Sequence, residues 1–468
     1  MRRFRLSAAV FVVMFIAAAC TNDAPDPASN GGDDDPPAAT GSTGETGTTD
    51  PYGFLARAEA GEFAGTEVEI LTQWIEPQDE IFESALAPFV ERTGIEVVHE
   101  GLSDYTTVLT ARVEGGNAPD IAQIAQPGLM RSFAESGDLV NLSEWFNTEQ
   151  LAQDYNQTYI DLGSVDGNLY GVFYQAFTKS IVWYPVQAFE ENGYEIPTTW
   201  DELIALSDQI VADGNGNPWC LSTEQDAFTG WVITDWLEDV LLRTAPVEVY
   251  DQWMAHEIPF DHPEVLEAAE LTGQILFTPD YVYGGTTGIN SIWVGDTQTP
   301  MFADNGPKCW MHKQASWITD FWPGAQDGNP QFEAGVDSAF FYFPPIEEEY
   351  GRPVLGAGDQ FVMFEDRPEV RALLEYLATA EAAKGWIDAG GFVAANGSVP
   401  AEWYTNYKDQ AMAEIMSQST ELRFDASDTM PAEVGGGTFL TAMIEWVDDE
   451  GQGTDATFGQ VESGWPSG

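Results

Sequence analysis

Basic residues are scarce in this 468-residue chain: 17 Lys and Arg stand against 77 Asp and Glu, a formal net charge of -60. That balance argues against nucleic acid as a partner, because such binding relies on Lys and Arg neutralising phosphates. It keeps the chain soluble through self-repulsion and points to a salty habitat. Four histidines, His99, His256, His262 and His312, lack metal-ligand spacing and read as surface or capping residues. No Walker loop, Rossmann glycine fingerprint, HExxH or GxSxG is present. A glycosidase needs two carboxylates facing across a sugar, and nothing among the 77 acids singles out a pair. One apolar run occurs, Ala8 to Ala19, shorter than the roughly 20 residues that a membrane-spanning helix needs.

That run follows Arg2, Arg3 and Arg5 and ends in Ala17-Ala18-Ala19-Cys20, the layout of a secretory signal peptide. The last four residues resemble a bacterial lipobox, in which the cysteine becomes the lipid-modified first residue. Ala17 departs from the usual leucine, so an ordinary cleavage site is the alternative. Thr21 to Pro51 has almost no large apolar side chain and cannot offset the entropy of ordering, so it reads as an extended leash. The expected organisation is therefore a signal peptide at 1–20, an acidic linker at 21–64 and a folded body beyond, exported and tethered through Cys20. In such an oxidising compartment the two remaining cysteines, Cys220 and Cys309, read as partners of one disulfide, with two free buried thiols as the alternative.

The body begins with strand, helix, strand, helix, strand between Glu67 and Ile124, each helix stopped by glycine (Gly94, then Gly115-Gly116). This is the parallel α/β signature, whose ligands sit beyond the carboxyl ends of the strands. Those ends are Gln73-Trp74-Ile75-Glu76 and Gln126-Pro127-Gly128. Val165 to Phe189 is the centre of the chain: an Asp166-Gly167-Asn168 turn, two aromatic and β-branched runs, then Pro185. Lys179 interrupts the pattern. It is one of five lysines, beside an apolar run where an unpaired ammonium is costly. Either its head escapes to solvent or these strands cross between two lobes and Lys179 points into the cleft between them. Helices are expected over 199–211, 229–242, 264–277, 368–379, 380–390, 403–417 and 438–448, and strands over 340–345 and 354–364. Asp213, Asn215, Asn217 and Glu224 have the spacing of a calcium loop, but Pro218 stands where its sharp turn wants glycine. A solvated turn is the expectation, and no metal or cofactor is called for.

TGIEV at 93–97, GGNAPDI at 115–121, DGNLYGVFY at 166–174, PTTWDEL at 197–203 and PVLGAGDQFVMF at 353–364 stand in a familiar order. With GWVITDWLEDVLLRTA at 230–245 and RFDASDTMPAEVGGGTF at 423–439, they resemble family 1 extracellular solute-binding proteins of ABC sugar importers. The α-glucoside-binding members are the most similar. The resemblance covers nearly all of 65–466. It implies an α/β, two-lobed periplasmic-binding-protein-like fold with hinge strands between the lobes: lobe 1 from 65–174 and 358–422, lobe 2 from 175–357 and 423–468. It implies capture of a small sugar such as maltose, trehalose or sucrose, delivery to ABC permease subunits, a monomer, and no catalysis. An exported glycan-processing enzyme is the rival reading. The ligand contacts implied are Trp74, Glu76 and Gln126 on one lobe and Trp231 and Trp317 on the other. Asp235 and Glu224 join the second lobe, with Lys179, Asp359 and Arg423 near the crossings.

Overall fold

A computed structural model describes residues 53–326, 329–390 and 392–466. Cys20, the signal peptide and most of the expected leash lie outside the described residues. No described helix is long and apolar enough to cross a membrane.

Two sheets organise the chain. β1 (Glu67–Thr72), β2 (Glu96–Gly101) and β3 (Ile121–Ile124) are parallel, as the glycine-punctuated alternation in the sequence predicts. A small hairpin, β4 (Ser164–Val165) and β5 (Asn168–Leu169), turns through Asp166-Gly167 and leads into β6 (Gly171–Thr178). After Lys179-Ser180 the chain continues as β7 (Ile181–Pro185), which belongs to the other sheet. There it is joined by β8 (Asn217–Trp219), β9 (Cys309–Lys313) and β10 (Ser338–Tyr342), in the order β10-β7-β9-β8. β11 (Pro353–Met363) then returns to the first sheet, antiparallel to both β3 and β6. β12 (Val393–Ala394) extends that sheet beyond β6, and β13 (Glu421–Phe424) pairs with the start of β11.

Each sheet has its own core. Val68, Ile70, Phe82, Phe89, Phe361 and Leu373 pack together around the first. Trp219, Trp236, Leu237, Trp253, Phe439 and Trp446 form the core of the second lobe. The helix Phe439–Asp448 buries its apolar face there, so the chain crosses from the first sheet to the second lobe once more after β13.

Two boundaries differ from expectation. The linker expected over 21–64 gives way earlier to a helix, Gly53–Glu59, with Leu55 and Ala58 buried. It packs on the helix Pro368–Leu377, and the Leu55 N–H donates to Glu375 at 2.7 Å. Helix Tyr407–Ser417, expected in lobe 1, instead packs beneath the second sheet: Met412 and Ile415 join Trp183, Phe340 and Tyr342. A last helix, Thr454–Ser463, was not expected; its sequence is mostly polar and only Thr457, Phe458 and Val461 are buried.

Candidate functional site

Where the chain crosses between the sheets it leaves a cleft with a cavity volume of about 200 Å³. One wall is aromatic. Trp231 opens the helix Trp231–Thr244 directly after Gly230, whose φ of 113° and close approach to the Leu440 carbonyl leave no room for a Cβ. Its indole N–H donates to Gln225 Oε1 at 2.8 Å, which fixes the ring. Trp317, in the short 3₁₀ segment Ser316–Phe321, lies 6.0 Å from it between ring centroids at 37°. Phe321 meets Trp317 edge-on at 5.8 Å, and Trp293 meets Phe321 at 5.5 Å. All four rings line the cleft. Sequence reasoning missed Trp293 and Phe321, since neither carries a periodic signal; Phe321 stands one helical turn beyond Trp317.

The opposite wall and the floor are polar. Gln73 follows β1, and Gln126 precedes the helix Pro127–Ser136 without capping it by its side chain. Asp359, from the middle of β11, is buried, and its Oδ1 accepts from Gln123 Nε2 at 2.6 Å and Gln73 Nε2 at 3.3 Å. Burial pushes its carboxyl up to about 7, against the Gln123 hydrogen bond and the Lys179 charge. Asp428, from the segment after β13, lines the same floor.

Lys179 neither escapes to solvent nor stands free in the cleft. Its ammonium is buried between Asp235 Oδ1 at 2.8 Å and Asp425 Oδ2 at 2.6 Å, 5.2 Å from the centre of the Trp231 ring. Desolvation opposes the charge, but the two carboxylates outweigh it and hold the ammonium well above its usual range. Asp425 takes the charge: burial would raise it, yet Lys179 and neighbouring donors leave it below the usual carboxylate range. Asp235 is raised to about 8, first by burial and then by Asp425 beside it. Behind this pair Asp239 receives Lys313 at 3.1 Å and a hydrogen bond from Ser180 Oγ at 2.8 Å, and pairs with Arg243. The Glu238 carboxylate accepts the backbone N–H groups of Ala426 and Ser427. The crossings are therefore tied together by buried ions.

Four expected contacts, Glu76, Glu224, Asp235 and Arg423, lie off the cleft lining. Trp74 does line the cleft, 2% exposed and with its ring set among Phe82, Tyr174, Phe361 and Trp386 of the lobe 1 core. Glu76 is exposed and off the lining, before a cis bond to Pro77. Glu224 lies off the lining too, its Oε1 accepting from the Asp226 N–H at 3.2 Å. Asp235 is occupied by Lys179. Arg423 faces away, bonded through Nε and Nη2 to Asp251 at 2.6 and 3.0 Å. Gln126, Lys179, Trp231, Trp317 and Asp359 do come together. Of the calcium-like spacing, Asn215 binds Tyr194 and Asn192, and Asn217 binds the Asp280 carbonyl. Among the described residues no three His, Cys, Asp or Glu could hold a metal together.

Cys220, just past β8, is bonded to Cys309 at the start of β9, with Cα atoms 5.1 Å apart. On the cleft lining, Gln78 Nε2, from the lobe 1 helix Gln78–Thr93, donates to Asp320 Oδ2 in the segment bearing Trp317, at 3.1 Å.

Two lobes, chain crossings at a hinge and an aromatic and polar cleft between them define a capture protein that closes around a solute. The chain belongs to the bacterial extracellular solute-binding protein family, which matches residues 64–384. It is 43% identical over 402 residues to the osmoprotective compounds-binding protein GgtB of Synechocystis, covering 86% of this chain and 92% of that one. It is 36% identical over 416 residues to the alpha-glucosides-binding periplasmic protein AglE of Rhizobium meliloti, covering 87% and 88%. Among solved structures, the bacterial solute receptor AcbH, described with an exclusive preference for β-D-galactopyranose, shares the fold. It superposes with a TM-score of 0.71 at 18% identity, over 86% of this chain and 97% of that one. The protein is the substrate-binding component of an ABC sugar transporter and is not an enzyme.

Proposed function

We propose that the protein captures an α-glucoside of about disaccharide size, such as maltose, trehalose or sucrose, and presents it to the permease. The observation that carries this reading is the pairing of the Trp231, Trp317, Phe321 and Trp293 wall with a floor of carboxylates and amides. A neutral sugar offers C–H faces to aromatic rings and hydroxyls to paired donors and acceptors. The names of two relatives, one for osmoprotective compounds and one for alpha-glucosides, support a small polar glucoside. Lipidation at Cys20 and a monomeric state belong to the same proposal; a single acyl chain anchors only marginally, so stable tethering implies more than one. Mass spectrometry of the mature N-terminus tests the anchor, and a free N-terminus elsewhere in the chain removes it.

Calorimetry with the three sugars, beside a hydrolysis assay, tests capture. Stoichiometric binding without turnover is expected. Trp317→Ala should weaken it at least roughly tenfold, about 1.4 kcal/mol, with the melting temperature unchanged. If Trp231→Ala and Trp317→Ala both bind as the parent does, the ligand site lies elsewhere.

A further inference from the structure

Tyr105 is a polar group where a phenylalanine would pack as well. It opens the helix Tyr105–Glu114, and its ring sits with Leu71, Leu109, Ile124 and Leu129 in the lobe 1 core, 1% exposed. Its hydroxyl is buried and has no hydrogen-bond partner among the described residues. An unmade hydrogen bond at a buried hydroxyl costs stability that the ring alone would not. The residue nevertheless lines the cleft, as Gln73 and Asp359 do. Burial, and then the neighbouring Asp359 carboxylate, hold the phenol well above its usual range, so Oη is a donor at any ordinary pH.

Asp359 presents the complementary half. Both hydrogen bonds that it accepts from described residues, from Gln123 and Gln73, end on Oδ1. Oδ2 has none, and Tyr105 does not bond to it directly. A donor without an acceptor and a carboxylate oxygen to which no described residue donates thus line one cleft, near enough that the Asp359 charge acts on the phenol, and the cleft also carries an aromatic wall. A hydroxyl group is the chemistry that satisfies both at once, because its oxygen accepts while its proton is donated.

We propose that Tyr105 and Asp359 form a single-hydroxyl subsite: one sugar hydroxyl accepts from Tyr105 Oη and donates to Oδ2 of the ionised Asp359 carboxylate. The subsite rests on the reading of the cleft as a sugar site. It makes Tyr105 a specificity-determining residue, retained at some expense to the empty protein because its partner arrives with the ligand. Discrimination against a sugar lacking that hydroxyl follows from stranding both groups again.

The test is calorimetry on the full mature chain with maltose, trehalose and sucrose, then with monodeoxy analogues of whichever binds, each lacking a different hydroxyl. Parent, Tyr105→Phe and Asp359→Asn are compared, with the melting temperature of each ligand-free protein. Tyr105→Phe should bind the parent sugar about tenfold more weakly while its ligand-free melting temperature stays level or rises. For one deoxy analogue, parent and Tyr105→Phe should bind equally, and Asp359→Asn should lose its effect on that same analogue. Undiminished affinity in Tyr105→Phe overturns the subsite and leaves sugar capture standing. So does a loss of similar size for every analogue, or one accompanied by a fall in melting temperature. If none of the three sugars binds the parent, the sugar reading fails and the subsite with it.

Discussion

Lys179 has two buried carboxylates for neighbours, and that sets what its removal does. Lys179→Met leaves Asp425, which carries the negative charge of the pair, without its cation in a low-dielectric interior, where breaking a buried pair typically costs about 3–5 kcal/mol. Urea unfolding should register that loss directly, and a variant within about 1 kcal/mol of the parent would show that the crossings do not depend on the ion pair. The same neighbourhood sets a pH dependence. Asp359 and Asp235 have folded pKa values of about 7 and about 8, above their ordinary 3.8. Between those limits the unfolded chain gives up protons that the folded one keeps, so their share of stability is present below about pH 4 and is lost as pH rises towards 8. Asp425, held low, contributes in the opposite sense and over a more acidic range. Ligand-free melting temperature should therefore fall from pH 5 to 8, and Asp359→Asn should flatten part of that slope. An unchanged slope would mean that Asp359 ionises in the folded protein as it does in the unfolded one.

The strands and helices that were legible in the sequence are those whose pattern is local. β1 to β3 are separated by amphipathic helices and closed by glycines, and β6 and β7 announce themselves by aromatic and β-branched density. Helix Gly53–Glu59 was not legible, because seven residues are too few to be helical alone and its support comes from residues 368–377. The site divides in the same way. Trp74, Trp231 and Trp317 were reached through the family resemblance, whereas Glu76 was misplaced, since a side chain just past a strand end can face the cleft or solvent. Tyr105 and Asp428 carry no signal at all until the lobes are assembled. One element-scale link is testable alone: the disulfide ties the end of β8 to the start of β9 across 89 residues of chain. In the chain-entropy account such a closure contributes about 4–5 kcal/mol. Cys309→Ser should lower the urea midpoint accordingly, and peptide mapping of the parent under non-reducing conditions should find both cysteines in one cross-linked pair.

For the molecule as a whole, a net charge of -60 means that folding confines many like charges that the extended chain keeps apart. Added salt should raise the melting temperature, while affinity for a neutral sugar should stay nearly constant, because screening acts on exposed charges far more than on a closed site. A steep fall in affinity with salt would point to a charged ligand instead. The hydrogen bond from Gln78 to Asp320 adds a clock to this picture. It links the lobe 1 helix Gln78–Thr93 to the segment bearing Trp317, so an opening that parts the two must exchange it for water. A single contact of this kind does little to the rate of encounter, which orientation and diffusion govern, and acts on dwell time. The permease, on this view, meets a carrier whose cargo is released at a pace set by this link between the lobes as well as by the rings and carboxylates of the cleft.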